Sequence, residues 1–263
     1  MHIIDVHAHI FPERIALKAA MSIGDFYNIR MKDAGTLGRL LEYGEQGGID
    51  HFVIHSVATT AEQIVPINDF VSNTVKENNG KLTGFATLHP SFEDLPGEVA
   101  RVKQLGLKGV KLHPDFQRFP LDSKEAYKIY EIIEDDMPLL VHTGDNRYHY
   151  SNPSLVRPVM RDFPRLKLIC AHFGGYSEWN EAEECLKGLN VYVDTSSSMF
   201  LLSAERARQL INGFGTDYVM FGSDYPMWSP ANEAEIIKGL GFENDILEKI
   251  MYKTAAELLG VTL

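Results

Sequence analysis

The chain has 263 residues, 44% hydrophobic and 23% charged, an ordinary globular composition with length for one large α/β barrel or two small domains. Its formal net charge of −11 argues against nucleic acid and anionic membrane as partners, since an acidic surface gains from neither, but leaves room for a small substrate in a locally positive site. The two cysteines, Cys170 and Cys185, make no disulfide framework, so a reducing cytoplasm is the expected compartment.

Short apolar, β-branched runs recur along the chain, separated by helical patterns. IIDVHAH (3–9) comes first, with no basic stretch ahead of it that would mark a secretory leader. A long segment, 10–32, reads as a loop. TLGRLLEYGEQGG (36–48) then sets Leu37, Leu40 and Leu41 on one helix face and ends in glycines. HFVIHSV (51–57) is the second strand. VPINDFVSNTVKENNG (65–80) is a helix carrying Ile67, Phe70, Val71, Thr74 and Val75 that stops at Asn79–Gly80. LTGFATLH (82–89) and GVKLH (109–113) are strands three and four, and Ala126, Ile129, Tyr130 and Ile133 stripe a helix over 123–136. PLLVHTGD (138–145) is the fifth strand and opens onto a second long loop, DNRYHYSN (145–152). LKLICAHF (166–173), VYVDTSS (191–197), the helix SAERARQLINGFG (203–215) and YVMFGSDYP (218–226) complete the series. Cys170 falls in an apolar run, where a small buried residue is expected.

Eight nearly continuous apolar strands alternating with helices predict an α/β fold, a (β/α)₈ TIM barrel, with residues 1–263 forming a single domain. A doubly wound open sheet is the alternative, but it calls for a glycine-rich loop after the first strand, where this chain has HIFPERIALK. No apolar run nears the roughly 20 residues that cross a bilayer. Both long loops fall at the C-terminal mouth of the barrel, where such folds keep their chemistry.

The ionisable residues cluster at that mouth. On a strand, residues i and i+2 share a face, so His7 and His9 stand side by side, with Asp5 further down the same face. Two converging imidazoles suit a metal; taken alone, the pair also suits two polar residues where a strand runs out. The other strands decide between these readings. Strand two carries His55, strand three His89, strand four Lys111 and His113, strand five His142, strand six His172 and strand eight Asp224. An unpartnered buried polar group costs about 1–3 kcal/mol, and a divalent metal would compensate many of these groups at once.

IIDVHAHIFPE, GVKLHPDFQ, VHTGD, AHFGG and MFGSDYP resemble the amidohydrolase superfamily, and within it the branch of hydrolases and decarboxylases typified by aminocarboxymuconate-semialdehyde decarboxylase. The resemblance takes in all eight strands. It implies a mononuclear site, usually zinc, with His7, His9, His142 and Asp224 as metal ligands and a water completing the shell. His172 then stands beside that water, and Asp224 and His172 handle protons as the catalytic pair. The implied activity is that of a metal-dependent hydrolase, in which a metal-bound hydroxide cleaves a C–N or C–O bond of a small amide or lactone. The alternative is a metal-dependent decarboxylase, a lyase acting without oxidation on a small carboxylic acid, because both reactions use the same constellation. The modest chain length leans toward the hydrolase. His₃Asp ligation also suits manganese, iron or cobalt. Other branches bridge two metals with a carboxylated lysine on strand four, a role open to Lys111. The resemblance also implies a homodimer, although no exposed apolar stripe marks an interface.

Around this centre, Lys111 reads as an anchor for a substrate carboxylate or as an ion-pair partner, and His113, ahead of Pro114, as a substrate contact. Arg147 reads as a bidentate grip on a substrate carboxylate or as a solvated loop arginine. Tyr148, His149 and Tyr150 are placed to close over a planar substrate, and Phe11, Tyr27 and Arg30 form a candidate lid. Trp179, Tyr225 and Trp228 read as pocket walls or as packing. His55 and His89 read as core histidines with partners, or as residues behind the ligands.

Overall fold

A computed structural model describes residues 1–78 and 80–263. Eight parallel strands lie in sequence order around the sheet: β1 (Ile4–His9), β2 (His51–His55), β3 (Leu82–Thr87), β4 (Gly109–Leu112), β5 (Leu139–Val141), β6 (Leu168–Cys170), β7 (Tyr192–Asp194) and β8 (Val219–Met220). The ends meet through backbone bonds: Val6 N–H donates to Phe221 O, His9 N–H to Tyr225 O and Asp224 N–H to His7 O, at 3.0, 2.7 and 2.8 Å. The result is a nearly closed (β/α)₈ barrel. The helices are α1 (Glu13–Tyr27), α2 (Leu37–Gly47), α3 (Ile64–Glu77), α4 (Leu95–Gln104), α5 (Pro114–Gln117), α6 (Lys124–Ile133), α7 (Val156–Asp162), α8 (Trp179–Leu186), α9 (Ala204–Phe214), α10 (Pro230–Lys238), α11 (Asn244–Glu248) and α12 (Thr254–Leu259). Serine side chains at 123, 203 and 229 cap the N-termini of α6, α9 and α10, satisfying N–H groups that helices leave free. Of the Asn79–Gly80 stop expected after α3, Asn79 lies outside the described residues. Among the described residues, no helix is long and apolar enough to cross a membrane.

Two apolar layers follow from strand alternation. Ile4, Val6, Val53, Phe85, Leu140, Ile169 and Met220 fill the barrel, with Ala255 of α12 packed against them. The opposite faces, such as Ile54, Val110, Leu112, Val141 and Val193, pack under the helices. β1 departs from plain alternation. Its register with β2 shifts between Asp5 and Ala8. The shift lets Ile4 and Val6 fill the barrel while His7 and His9 still reach its mouth. Asp5 is therefore not on their face as expected; its Oδ1 accepts the N–H groups of His7 and Ser223, both at 3.0 Å.

Segment 10–32 is not a loop throughout. α1 occupies most of it, burying Ala16, Ala20 and Gly24 while Ile15, Leu17 and Met21 face solvent. A Cβ at Gly24 would stand 2.6 Å from Ile29 O, so the close packing of this face requires glycine.

Candidate active site

The site forms where the strands run out. His7 and His9 belong to the end of β1, His55 ends β2, Lys111 lies on β4 with His113 just past it, and His142 follows β5. His172 follows β6, Asp194 ends β7 and Asp224 comes after β8. All are buried, none more than 8% exposed. Backbone strain concentrates here: φ is 61° at His172, 45° at Ser197 and 64° at Asp224. Left-handed backbone at such residues costs about 1–3 kcal/mol each and persists only where neighbours enforce it. Here His172 N–H donates to Asp194 Oδ1 at 3.0 Å, and Asp224 N–H is held by His7 O. In the HTGD turn, Gly144 has φ 81°, and a Cβ there would lie 2.5 Å from the backbone of Gly175 and Tyr176.

Hydrogen-bond partners fix which imidazole nitrogens present lone pairs. His7 Nδ1 lies 2.8 Å from Asp194 Oδ2 and 3.0 Å from Ser196 Oγ. The carboxylate holds the ring proton on Nδ1, so Nε2 faces the mouth as an acceptor. There His7 Nε2 stands 3.3 Å from Asp224 Oδ1, which stands 3.5 Å from His9 Nε2. Two ligands bound tetrahedrally at about 2.1 Å are separated by about 3.4 Å, so these three donors fit a divalent metal. Lys111 Nζ donates to His7 Nε2 at 3.0 Å.

His142 and His172 line the same cavity. His172 Nδ1 lies 3.1 Å from Ser196 O, which keeps its proton there, and its Nε2 lies 3.0 Å from His142 Nδ1. Two lone pairs repel at that distance, so a proton or a cation belongs between them. Among the described residues, His142 Nε2 has no hydrogen-bond partner; Asp115 Oδ2 is 3.6 Å away. The rings of Phe116, His113 and His142 stack in series, with centroids 3.7 and 3.9 Å apart and planes within 8°. Phe116 N–H donates to His113 Nδ1, leaving the His113 proton on Nε2, 2.9 Å from the Tyr27 hydroxyl. That hydroxyl accepts it and keeps its own proton for the cavity, whose volume of ≈ 20 Å³ suits a single water or ion.

Burial, reinforced by the Lys111 ammonium and the crowding of imidazoles, holds His7, His9, His142 and His172 well below the ordinary histidine range. They are neutral at pH 7 and free to donate lone pairs. Burial also pushes the Asp224 carboxyl up to about 6, against the Ser197 hydroxyl and Lys111. It lowers Lys111 to about 8, against the pull of Asp224 and Asp194. A cation among the donors would return Asp224 to its ionised form.

Of the residues singled out from sequence, His7, His9, Lys111, His113, His142, His172 and Asp224 all line this one cavity, and Tyr27 roofs it. Arg147 does not reach it. Its guanidinium forks onto Asp145 at 2.9 and 2.7 Å, donates to Phe26 O and lies 4.7 Å over the Phe26 ring, tying the loop after β5 to α1. Tyr148 stacks on Phe26 in the same latch. Trp179 Nε1–H donates to His172 O at 3.0 Å, and the Tyr225 hydroxyl donates to Thr36 O at 2.9 Å. Trp228 Nε1–H donates to Ser197 Oγ at 2.8 Å, which donates to Asp224 Oδ2 at 2.5 Å. His89 pairs with Ser91 and lies outside the cavity wall. His55 is not the partnered core histidine of one sequence reading. Among the described residues neither ring nitrogen has a hydrogen bond, and the ring stands edge-on to His9 at 4.4 Å. Among the described residues, ligand atoms of His7, His9 and His55 gather within 4.8 Å, as do those of His7, His172 and Asp194. The sequence reading passes over Asp194. The signal that singles out the histidines, an ionisable residue closing an apolar strand, applies equally to VYVDTSS.

No curated protein matches the chain. Among solved structures, 5-carboxyvanillate decarboxylase from Sphingomonas paucimobilis aligns over 99% of both chains with 18% identity and a TM-score of 0.77. A putative 2-pyrone-4,6-dicarboxylic acid hydrolase from Pseudomonas putida aligns over 99% of this chain and 98% of its own, with 21% identity and a TM-score of 0.73. A dihydroxybenzoic acid decarboxylase from Polaromonas sp. JS666, solved with bound manganese and the inhibitor 2-nitroresorcinol, aligns over 98% and 97%, with 17% identity and a TM-score of 0.73. Decarboxylase and hydrolase alike are spanned almost end to end, so chain length separates the two reactions no further. Residues 4–261 match the family described as amidohydrolase, and the chain belongs to that family.

Proposed function

We propose that this protein is a metal-dependent hydrolase opening an amide or lactone bond of a small substrate, with one domain carrying the whole reaction. The observation that carries the reading is the convergence of His7 Nε2, His9 Nε2 and Asp224 Oδ1 at 3.3 and 3.5 Å, beside the His142 Nδ1–His172 Nε2 pair at 3.0 Å. His7, His9 and Asp224 are the proposed ligands, with His142 Nδ1 as the fourth donor and zinc as the metal that best suits this set. A divalent metal there would supply Lewis acidity and make water nucleophilic near neutral pH.

The chain's own groups do the rest. Asp194 keeps His7 in the tautomer that offers Nε2, and Ser197 steadies Asp224 through Oδ2. His172, with Nδ1 spent on Ser196 O, is left to take a proton at Nε2. The Tyr27 hydroxyl is a donor at the cavity roof, placed for negative charge developing on a carbonyl oxygen. Lys111, buried and cationic, offsets the charge of a carboxylated substrate.

Decarboxylation stays as the second reading because a buried cation beside the donors also suits a carboxylate about to leave as CO₂. A substrate panel of lactones, amides and aromatic carboxylic acids, run in ¹⁸O-labelled water, separates the two. Hydrolysis incorporates one labelled oxygen into the product without CO₂ release; stoichiometric CO₂ would overturn it in favour of the lyase. His172→Asn should lower turnover about 10²- to 10⁴-fold, and an undiminished rate would remove His172 from the reaction.

A further inference from the structure

A second chamber lies beyond Met227. It measures ≈ 350 Å³ against ≈ 20 Å³ for the inner cavity, and Met227 stands in the wall of both. Small-molecule sites usually span about 300–1,000 Å³, so the outer chamber, not the inner cavity, has the room for the body of a substrate. Phe200 and Trp228 give it an aromatic wall, their rings 4.6 Å apart at 25°. The wall is wired to the reaction centre through Trp228, Ser197 and Asp224. Met227 Sδ lies 4.0 Å from the same Ser197 hydroxyl. Methionine is unbranched and turns about three bonds, and among the described residues Met227 is the one that lines both spaces.

Glu233 of α10 gives the chamber its chemistry. It lines the chamber, is only 6% exposed, and among the described residues has neither a hydrogen-bond donor nor a cation on its carboxyl group. Of the other charged groups in the wall, Asp33 is already engaged by Arg39 and Tyr43, and Lys32 forms no ion pair with Glu233. A mostly buried carboxyl group whose oxygens open onto the chamber gains from a ligand that brings donors. An ammonium brings both charge and three N–H donors, and aromatic faces attract cations as well as planar bodies. Burial and the nearby acids Asp5 and Asp224 push Glu233 up to about 7, which a bound cation would reverse.

We propose that the outer chamber is a substrate subsite for a planar or aromatic primary amine. Its ammonium rests on Glu233, its body lies along Phe200 and Trp228, and its reacting end passes Met227 toward Asp224. The assignment of a reacting end rests on the inner cavity being the reaction centre; the amine subsite itself does not. The test is calorimetric titration of the full chain at pH 8, metal-loaded and metal-stripped, with phenethylamine and with the neutral analogue 2-phenylethanol. Phenethylamine should bind about 10-fold tighter or better in both forms. Glu233→Gln should bring the two probes within about 3-fold, and Trp228→Ala should weaken both. Should Glu233→Gln fail to fold, Glu233→Asp, which shortens the reach, must lower the amine preference instead. No saturable amine binding below about 10 mM, or a preference untouched by the Glu233 variants, overturns the subsite. An amine preference that survives in Asp224→Ala protein devoid of metal and turnover upholds the subsite whatever becomes of the reaction.

Discussion

The two halves of the mouth are held by different forces. On the β1, β7 and β8 side, carboxylates and hydroxyls grip the imidazoles: Asp194 and Ser196 hold His7, and Ser197 holds Asp224. On the β4 and β5 side, the rings of Phe116, His113 and His142 stack face to face, and among the described residues His142 Nε2 goes unpartnered. The first half sits on the barrel seam and orients lone pairs before any ligand arrives. The second lies under α1, where Tyr27 and Phe116 hold His113 within the stack. Carboxylate-held donors and a stacked wall are thus built from the same residue type by changing what lies behind each ring.

The sharpest way to break this contrast is to remove its anchor. Asp194→Ala leaves His7 Nδ1 with Ser196 Oγ alone and strands the N–H groups of His172 and Ser196. It should cost about 3 kcal/mol or more in denaturant titration and weaken metal affinity about 10- to 100-fold. His113→Leu in the stacked half loses the stack and the bonds to Tyr27 and Phe116, about 2 kcal/mol, and should leave metal content unchanged. The reverse ranking would dissolve the distinction between the halves.

pH sharpens the picture on the seam side. Glu233 has its folded pKa raised to about 7 from an ordinary 4.5, chiefly by burial. Folding therefore favours its protonated form, so its contribution to stability is full below pH 4.5 and is lost as pH rises through 7. In metal-free protein, Glu233→Gln should match wild type near pH 4 and exceed it at pH 8 by up to about 3 kcal/mol. Chemical denaturation at the two pH values measures this, and a constant gap between variant and wild type would contradict the buried carboxyl.

The smallest effect is expected at the latch. Arg147→Ala removes a part-exposed fork onto Asp145, worth under about 1 kcal/mol, but frees the end of α1. Amide exchange over Glu13–Tyr27 should quicken while β1 stays protected. Unchanged exchange in α1 would deny Arg147 any role in holding the roof.

Much of this was legible from strand phase alone. The eight apolar runs, and the histidines and aspartate that close them, locate the mouth and most of what lines it. α1 was hidden because its large apolar residues, Ile15, Leu17 and Met21, face solvent, while its buried stripe is Ala16, Ala20 and Gly24, which carries little hydrophobic signal. YVMFGSDYP reads as one strand, yet regular strand covers only Val219–Met220; Phe221, Asp224 and Tyr225 bond singly to β1, and the chain turns left-handed at Asp224. Asp194 was readable as a strand-end acid, but its task was not, because its partner His7 lies 187 residues away in the chain. Arg147 illustrates the converse. An arginine in a mouth loop suggests a substrate grip, and only three dimensions show Asp145 already holding it.

The proposed metal is held where the chain after β8 meets the end of β1. Elemental analysis of protein purified with zinc, beside His7→Ala/His9→Ala and Asp224→Ala variants, tests it most directly. About one divalent metal per chain in wild type, falling to a small fraction in both variants while the fold persists by circular dichroism, is the expected result. Metal-free wild type, or variants that keep their metal, would contradict it.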